Sequence, residues 1–154
     1  MNCTKLISII IPVKNEADNI AEVLRGVHQY APEAIVVVVN DNSGDNTLSI
    51  LHSIPGIVVL NSTIDLGIGS AVQLGIKGAL ALGAEQFLRM DGDGQHPAKY
   101  IPDLLKNLES ADFVQAYRKI SEFRESSTFV RSLASRYLQF LFSPVPWNFL
   151  PYQV

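Results

Sequence analysis

Apolar runs and polar breaks follow one another in regular order along most of the chain. Leu6–Ile11 is almost continuously apolar and rich in β-branched residues, and it stops at Pro12. Such a run predicts a strand covered on both faces, as in a parallel sheet. After Lys14-Asn15-Glu16, the residues Ile20, Val23, Leu24 and Val27 recur at helical spacing, so Ala17–Tyr30 is expected to be a helix with one apolar face. Ala34–Val39 repeats the buried-strand pattern and gives way to Asn40-Asp41-Asn42-Ser43-Gly44. A helix carrying Leu48, Leu51 and His52 follows, with Ser43 or Asp45 as its cap and Pro55-Gly56 as its end. Gly56–Asn61 reads as a third strand, Ile64–Gly69 as a glycine-bearing loop, and Ser70–Leu82 as a helix. The small residues Ala71, Gly75, Gly78, Ala79 and Ala81 let that helix lie close to a sheet. Glu85–Arg89 is a short fourth strand, Pro97–Leu108 a helix with Ile101, Leu104, Leu105 and Leu108 on one side, and Asp112–Ala116 a fifth strand.

Strands alternating with helices predict an α/β domain with a mainly parallel sheet and right-handed crossovers. Beyond Ile120 the alternation fails: Ser127–Phe142 reads as a helix containing Arg131, Ser135 and Arg136, and the remainder is punctuated by proline. A length of 154 residues without repeats or linkers predicts one domain over 1–154. Its donor-binding part is expected over about 6–120 and a partial acceptor or helical part over 121–154. A net charge of -3 supplies no basic field for nucleic acid. The single cysteine, Cys3, rules out an intrachain disulfide and favours a reducing compartment. The first residues lack the layout of a signal peptide, so a cytoplasmic location is expected. The apolar run Tyr137–Leu150 is broken by Pro144 and Pro146 and is too short to span a bilayer. It suits peripheral contact with a membrane face or a partner.

In open parallel sheets ligands bind outside the carboxyl ends of the strands. Three strands here exit into polar clusters: Lys14-Asn15-Glu16, Asn40-Asp41-Asn42-Ser43 and Asp91-Gly92-Asp93, with Arg118 expected after the fifth. Asp91, Asp93 and the Gln95 side-chain oxygen are hard donors suited to Mg²⁺ or Mn²⁺. The same Asp-Gly repeats also form ordinary turns, Asp41 and Asn42 suit helix capping, and Glu16 suits the first turn of a helix. An edge carrying Asp41, Asp91 and Asp93 would repel a diphosphate unless a divalent cation intervenes. Arg118, Arg131 and Arg136 offer guanidinium groups to phosphate oxygens, or else are solvated helix arginines. The Gly67-Ile68-Gly69 loop fails the dinucleotide fingerprint, because Val72 stands where its third glycine belongs. His28, His52 and His96 are not spaced for zinc, and neither a Walker loop nor a G-x-S-x-G elbow is present. The residues thus point to a metal-assisted site for a nucleotide diphosphate.

Ser8–Glu16, Val38–Thr47, Asp65–Ala71 and Asp91–Pro97 together resemble the motifs of family 2 glycosyltransferases with the Rossmann-like GT-A fold. Asp91-Gly92-Asp93-Gly94-Gln95-His96-Pro97 is most similar to the branch that moves a sugar onto a polyprenyl phosphate. The resemblance implies that Pro12, Asn15, Glu16, Asp41, Gly69 and Asp91 bind the nucleotide sugar. It implies that Asp91, Asp93 and Gln95 hold the metal and donor diphosphate, with Asp93, Arg118 and Arg131 serving catalysis. Arg118, Arg131 and Ser135 would bind the acceptor phosphate. Such an acceptor is already an anion, so attack needs positioning and charge compensation rather than a general base.

The chain also departs from the family pattern. Asn40 stands where many relatives have Asp, Gly94 replaces an apolar residue, and Phe142–Val154 resembles nothing expected there, so the fold reads as C-terminally shortened. Two other readings stay open: an inactive nucleotide-sugar-binding module, and a nucleotidyltransferase with a similar sheet. The lack of a basic Gly-rich opening loop after Pro12 speaks against the second.

Overall fold

The computed structural model describes residues 5–116. The chain divides into two compact units, Met1–Lys106 and Asn107–Val154. In the first, β1 (Ile7–Val13), β2 (Ile35–Asp41), β3 (Ile57–Ser62) and β4 (Gln86–Arg89) form a sheet of order β3-β2-β1-β4. Every pairing is parallel, with Ile9 opposite Val36, Val38 opposite Val59 and Ile9 opposite Leu88. The three connections between strands carry α1 (Ile20–Tyr30), α2 (Thr47–Ser53) and α3 (Ile68–Ala81), and α4 (Ile101–Leu108) follows β4.

The β-branched runs explain the sheet. Because successive side chains point to opposite faces, Ile9, Ile11, Val13, Val36 and Val38 fall on one side, where they pack with α1, α2 and Ile101 of α4. Ile10, Val37 and Val39 fall on the other, against Ala71 and Ala79 of α3. Helix α1 contributes Ile20, Val23, Leu24 and Val27, the four positions its periodicity singles out. Helix α3 lies close to the sheet: a Cβ added at Gly75 would stand 2.4 Å from Ile10 Cγ2 and 3.1 Å from Val39 Cγ2. The small-residue pattern is therefore a packing surface for the strands.

Three expectations change. Helix α1 starts at Ile20 rather than Ala17; residues 17–19 form a turn in which Asn19 N and Ile20 N both donate to Glu16 O. The expected helix Pro97–Leu108 is a 3-10 turn, Ala98–Tyr100, followed by α4. Pro102 has no N–H to give Ala98 and its ring crowds that carbonyl, so an α-turn cannot run through it. Asp112–Ala116 forms no strand, and residues 113–116 are without regular structure. Val114 is the only β-branched residue in that segment, in contrast to the runs that build β1 and β2. The expected helix Ser127–Phe142 and the apolar run after it lie outside the described residues. Among those described, no helix is long and apolar enough to cross a membrane.

Candidate functional site

The strand order reverses at β1: the chain proceeds to β2 and β3 on one side, then returns to place β4 on the other. The crevice at the carboxyl ends beside such a reversal is where ligands of open α/β sheets bind. Two loops at that edge, after β1 and after β2, are laced together by side chains. Asn15 Oδ1 accepts from Gly44 N at 2.8 Å, and Asn15 N donates to Ser43 Oγ at 3.0 Å. Glu16 N donates to Thr47 Oγ1 at 2.9 Å, and Ala17 N to Asp45 Oδ2 at 3.2 Å. Asp45 Oδ1 also accepts from Thr47 N at 3.0 Å, an Asx turn just ahead of α2. The N-cap position itself falls to Asn46, not to the expected Ser43 or Asp45, and carries no side-chain cap bond. Hydrogen bonding to the Thr47 hydroxyl, foremost, holds the Asp45 carboxyl below the ordinary range. Asn15 and Asn42 adopt left-handed backbone, with φ of 57° and 51°, a conformation that asparagine tolerates better than most residues.

Asp41, at the end of β2, is buried, and its carboxylate accepts from Leu66 N at 2.6 Å and Gly67 N at 3.0 Å. It thus fastens the loop that enters α3 rather than capping the helix that follows it in sequence. Across that loop, Lys14 Nζ lies 2.7 Å from Asp65 Oδ1, which also accepts from Asn42 Nδ2 at 3.1 Å. The Lys14 hydrogen bond, then that of Asn42, keeps the Asp65 carboxyl low, and Asp65 raises Lys14 in turn. Pro12, Val13, Lys14, Asp41, Asp65, Gly67, Ile68 and Ala71 line an open cleft of about 290 Å³.

The second cluster follows β4. Arg89 Nη2 donates to Asp91 Oδ1 at 2.6 Å, Asp91 N donates to His96 Nδ1 at 3.0 Å, and Asp93 Oδ1 accepts from Gln95 N at 2.9 Å. Gly92 between the two carboxylates is buried, and a Cβ there would stand 2.5 Å from Val13 Cγ1 and 3.5 Å from Ile20 Cδ1. Only glycine lets this loop settle onto the end of β1 with its carboxylates directed away from the core. Val13 links the clusters, since it lines the cleft and also bears on Gly92.

Of the site residues expected from sequence, Pro12 and Asp41 line the cleft. Gly69 lies in the first turn of α3, between the lining residues Ile68 and Ala71, with nothing within 4 Å of a Cβ there. Asn15 braces the neighbouring loop, and the Glu16 carboxylate accepts from Asn19 Nδ2 at 2.9 Å. Asp91, Asp93 and Gln95 share the loop after β4, whereas Arg118, Arg131 and Ser135 lie outside the described residues. Lys14 belongs to a polar strand exit and Asp65 to the glycine loop, but nothing in the sequence pairs them; 51 positions separate the two (65 minus 14), and only the fold brings them together. Among the described residues, no group of three or more His, Cys, Asp or Glu could hold a metal ion. Two carboxylates and an amide oxygen nevertheless fit Mg²⁺ or Mn²⁺, which commonly take one or two carboxylates plus substrate phosphates and water.

Residues 8–152 match the family model described as Glycosyl transferase family 2. Undecaprenyl-phosphate mannosyltransferase of Micrococcus luteus is 32% identical over 115 residues, which cover 72% of this chain and 47% of that protein. Polyprenol monophosphomannose synthase of Mycolicibacterium smegmatis is 28% identical over 107 residues, 66% of this chain and 40% of that one. This chain therefore corresponds to about half the length of these relatives or less. Glucosyl-3-phosphoglycerate synthase from Mycobacterium tuberculosis, crystallised with Mn²⁺, UDP and glucosyl-3-phosphoglycerate, superposes with a TM-score of 0.63 at 20% identity. The match covers 92% of this chain and 51% of that one, and it identifies the fold as GT-A.

Proposed function

The chain belongs to glycosyl transferase family 2, and from that premise we propose that it transfers a hexose, with inversion, from a nucleotide-diphosphate sugar to a polyprenyl phosphate. The observation that carries this reading is the pair Asp91 and Asp93, set around an embedded Gly92 at the β4 exit next to the strand-order reversal. The polyprenyl-phosphate relatives support the acceptor, and the UDP and Mn²⁺ complex of a structural neighbour supports the donor and metal.

In this reading Pro12, Asp41 and Gly69 serve the nucleoside, and Asn15 and Glu16 keep the wall of its cleft in shape. Asp91, Asp93 and Gln95 hold Mg²⁺ or Mn²⁺ against the donor diphosphate. When bound, the cation compensates charge as the nucleoside diphosphate leaves. Arg118, Arg131 and Ser135 orient the acceptor phosphate, whose oxygen attacks the sugar carbon without needing a base. A hydrophobic acceptor of this class sets the work at the cytoplasmic face of a membrane, with the C-terminal segment in peripheral contact.

Thermal melting with each nucleoside diphosphate, with and without Mn²⁺, tests the donor half. A ligand at 100 times its Kd raises stability by about 2.7 kcal/mol, and one base should do so in a Mn²⁺-dependent way. Asp93→Asn should remove that dependence; binding unaffected by both the substitution and EDTA would sink the metal assignment. Incubation with labelled nucleotide sugar and a polyprenyl phosphate tests transfer, and donor binding without product would reduce the chain to a binding module.

A further inference from the structure

Arg89 ends β4, and the buried Met90 separates it from Asp91. The period of two along an extended chain therefore carries both side chains to the same side. There the guanidinium donates to Asp91 Oδ1 at 2.6 Å, with both groups partly open to solvent. The backbone of Asp91 is separately fixed, because its N–H is given to His96 Nδ1. His96 Nδ1 lies 3.8 Å from the other carboxylate oxygen. Asp93 is held differently: the Gln95 backbone N–H that its Oδ1 accepts carries no net charge. The two carboxylates are thus unequal, and Asp91 already has a cationic partner.

We infer that Arg89 is an internal competitor for the divalent cation: it occupies the Asp91 carboxylate until the metal displaces it, and so sets the metal affinity of the site. This rests on the reading of Asp91 and Asp93 as metal holders. A cation approaching Asp91 must either drive off the guanidinium or bind beside a like charge, and both courses weaken binding. A displaced Arg89 remains close enough to meet an anion held by the same cation. The exchange therefore favours metal arriving with a diphosphate over metal arriving alone. Arg89 is accordingly a positioning residue acting through Asp91, and its signature is a gain of metal affinity on removal, which a merely structural role does not give.

The test is titration of the full 154-residue chain with Mn²⁺ alone, reading free Mn²⁺ by electron paramagnetic resonance. At low salt Arg89→Gln and Arg89→Ala should bind roughly threefold to tenfold more tightly than the unsubstituted chain, while Arg89→Lys stays near it. The gap should narrow as salt screens the guanidinium. Equal or weaker binding in both neutral variants overturns the inference, as does equal tightening in Arg89→Lys. Asp93→Asn separates the two levels. If Mn²⁺ binding is absent throughout, or survives Asp93→Asn unchanged, the metal reading itself fails. If Asp93→Asn removes binding but the neutral variants gain none, only the role of Arg89 fails.

Discussion

Asp41 and Asp93 are both carboxylates at strand exits, yet their surroundings predict opposite behaviour. Asp41 is 6% exposed and satisfies two backbone N–H groups. Asp41→Asn should cost about 1–3 kcal/mol in urea denaturation, since an amide turns one acceptor into a donor against an N–H. Asp93 lies in a more open loop, so Asp93→Asn should move stability by no more than about 0.5 kcal/mol while removing metal-dependent binding. Gly92→Ala drives a methyl group to within 2.5 Å of Val13 Cγ1 and should destabilise by about 1–3 kcal/mol. Val13→Ala in the same chain should recover part of that loss in a double-mutant cycle. At Asn15, with φ at 57°, Asn15→Gly should cost less than Asn15→Ala by about 1 kcal/mol, because both lose the bond to Gly44 but only alanine is strained. Which residues carry these bonds was only partly legible in the sequence. Asp41 announced itself as important, but its partners Leu66 and Gly67 sit on a different connection, and nothing local reveals them.

At the scale of elements, the strands were legible because β-branched runs have few alternatives, and α1 because its apolar stripe is unambiguous. The helix after β4 departs from its sequence pattern because a single proline governs the first turn, and the fifth strand does not form because one β-branched residue is too little. The lacing of the loops after β1 and β2 predicts a pH response. Asp45 and Asp65 both titrate below the ordinary carboxylate range in the folded chain, chiefly through Thr47 and Lys14 respectively. A carboxyl whose folded pKa is depressed contributes stability that is present above its unfolded pKa, about 3.9, and lost as pH falls through the folded value. Urea midpoints should therefore decline on acidification below about pH 4, with a shallower decline in Asp45→Asn. Lys14, raised by Asp65, has the opposite sense: its contribution is complete below the ordinary lysine pKa and fades as pH rises through the raised value. Asp65→Asn should remove that alkaline decline.

For the unit Met1–Lys106 as a whole, residue parity along β1 and β2 assigns their core side chains either to the face shared with α1, α2 and Ile101 or to the face under α3. A slip of one residue would exchange the two sets, so the register is fixed strongly. That assignment was implicit in the sequence, whereas the cleft was not, because it arises from loops that meet only after the sheet forms. The hydrogen bonds that lace Asn15, Glu16 and Ala17 to Ser43, Gly44, Asp45 and Thr47 have a kinetic consequence as well. The backbone beside the cleft is ordered when the chain folds, so on the proposed reading a nucleotide would meet a braced cleft and lose little conformational entropy on arrival. Ligand affinity then becomes a report on folding. In Asn15→Ala, nucleotide dissociation should quicken although that side chain is spent on Gly44, and amide hydrogen exchange at Gly44 should accelerate in parallel.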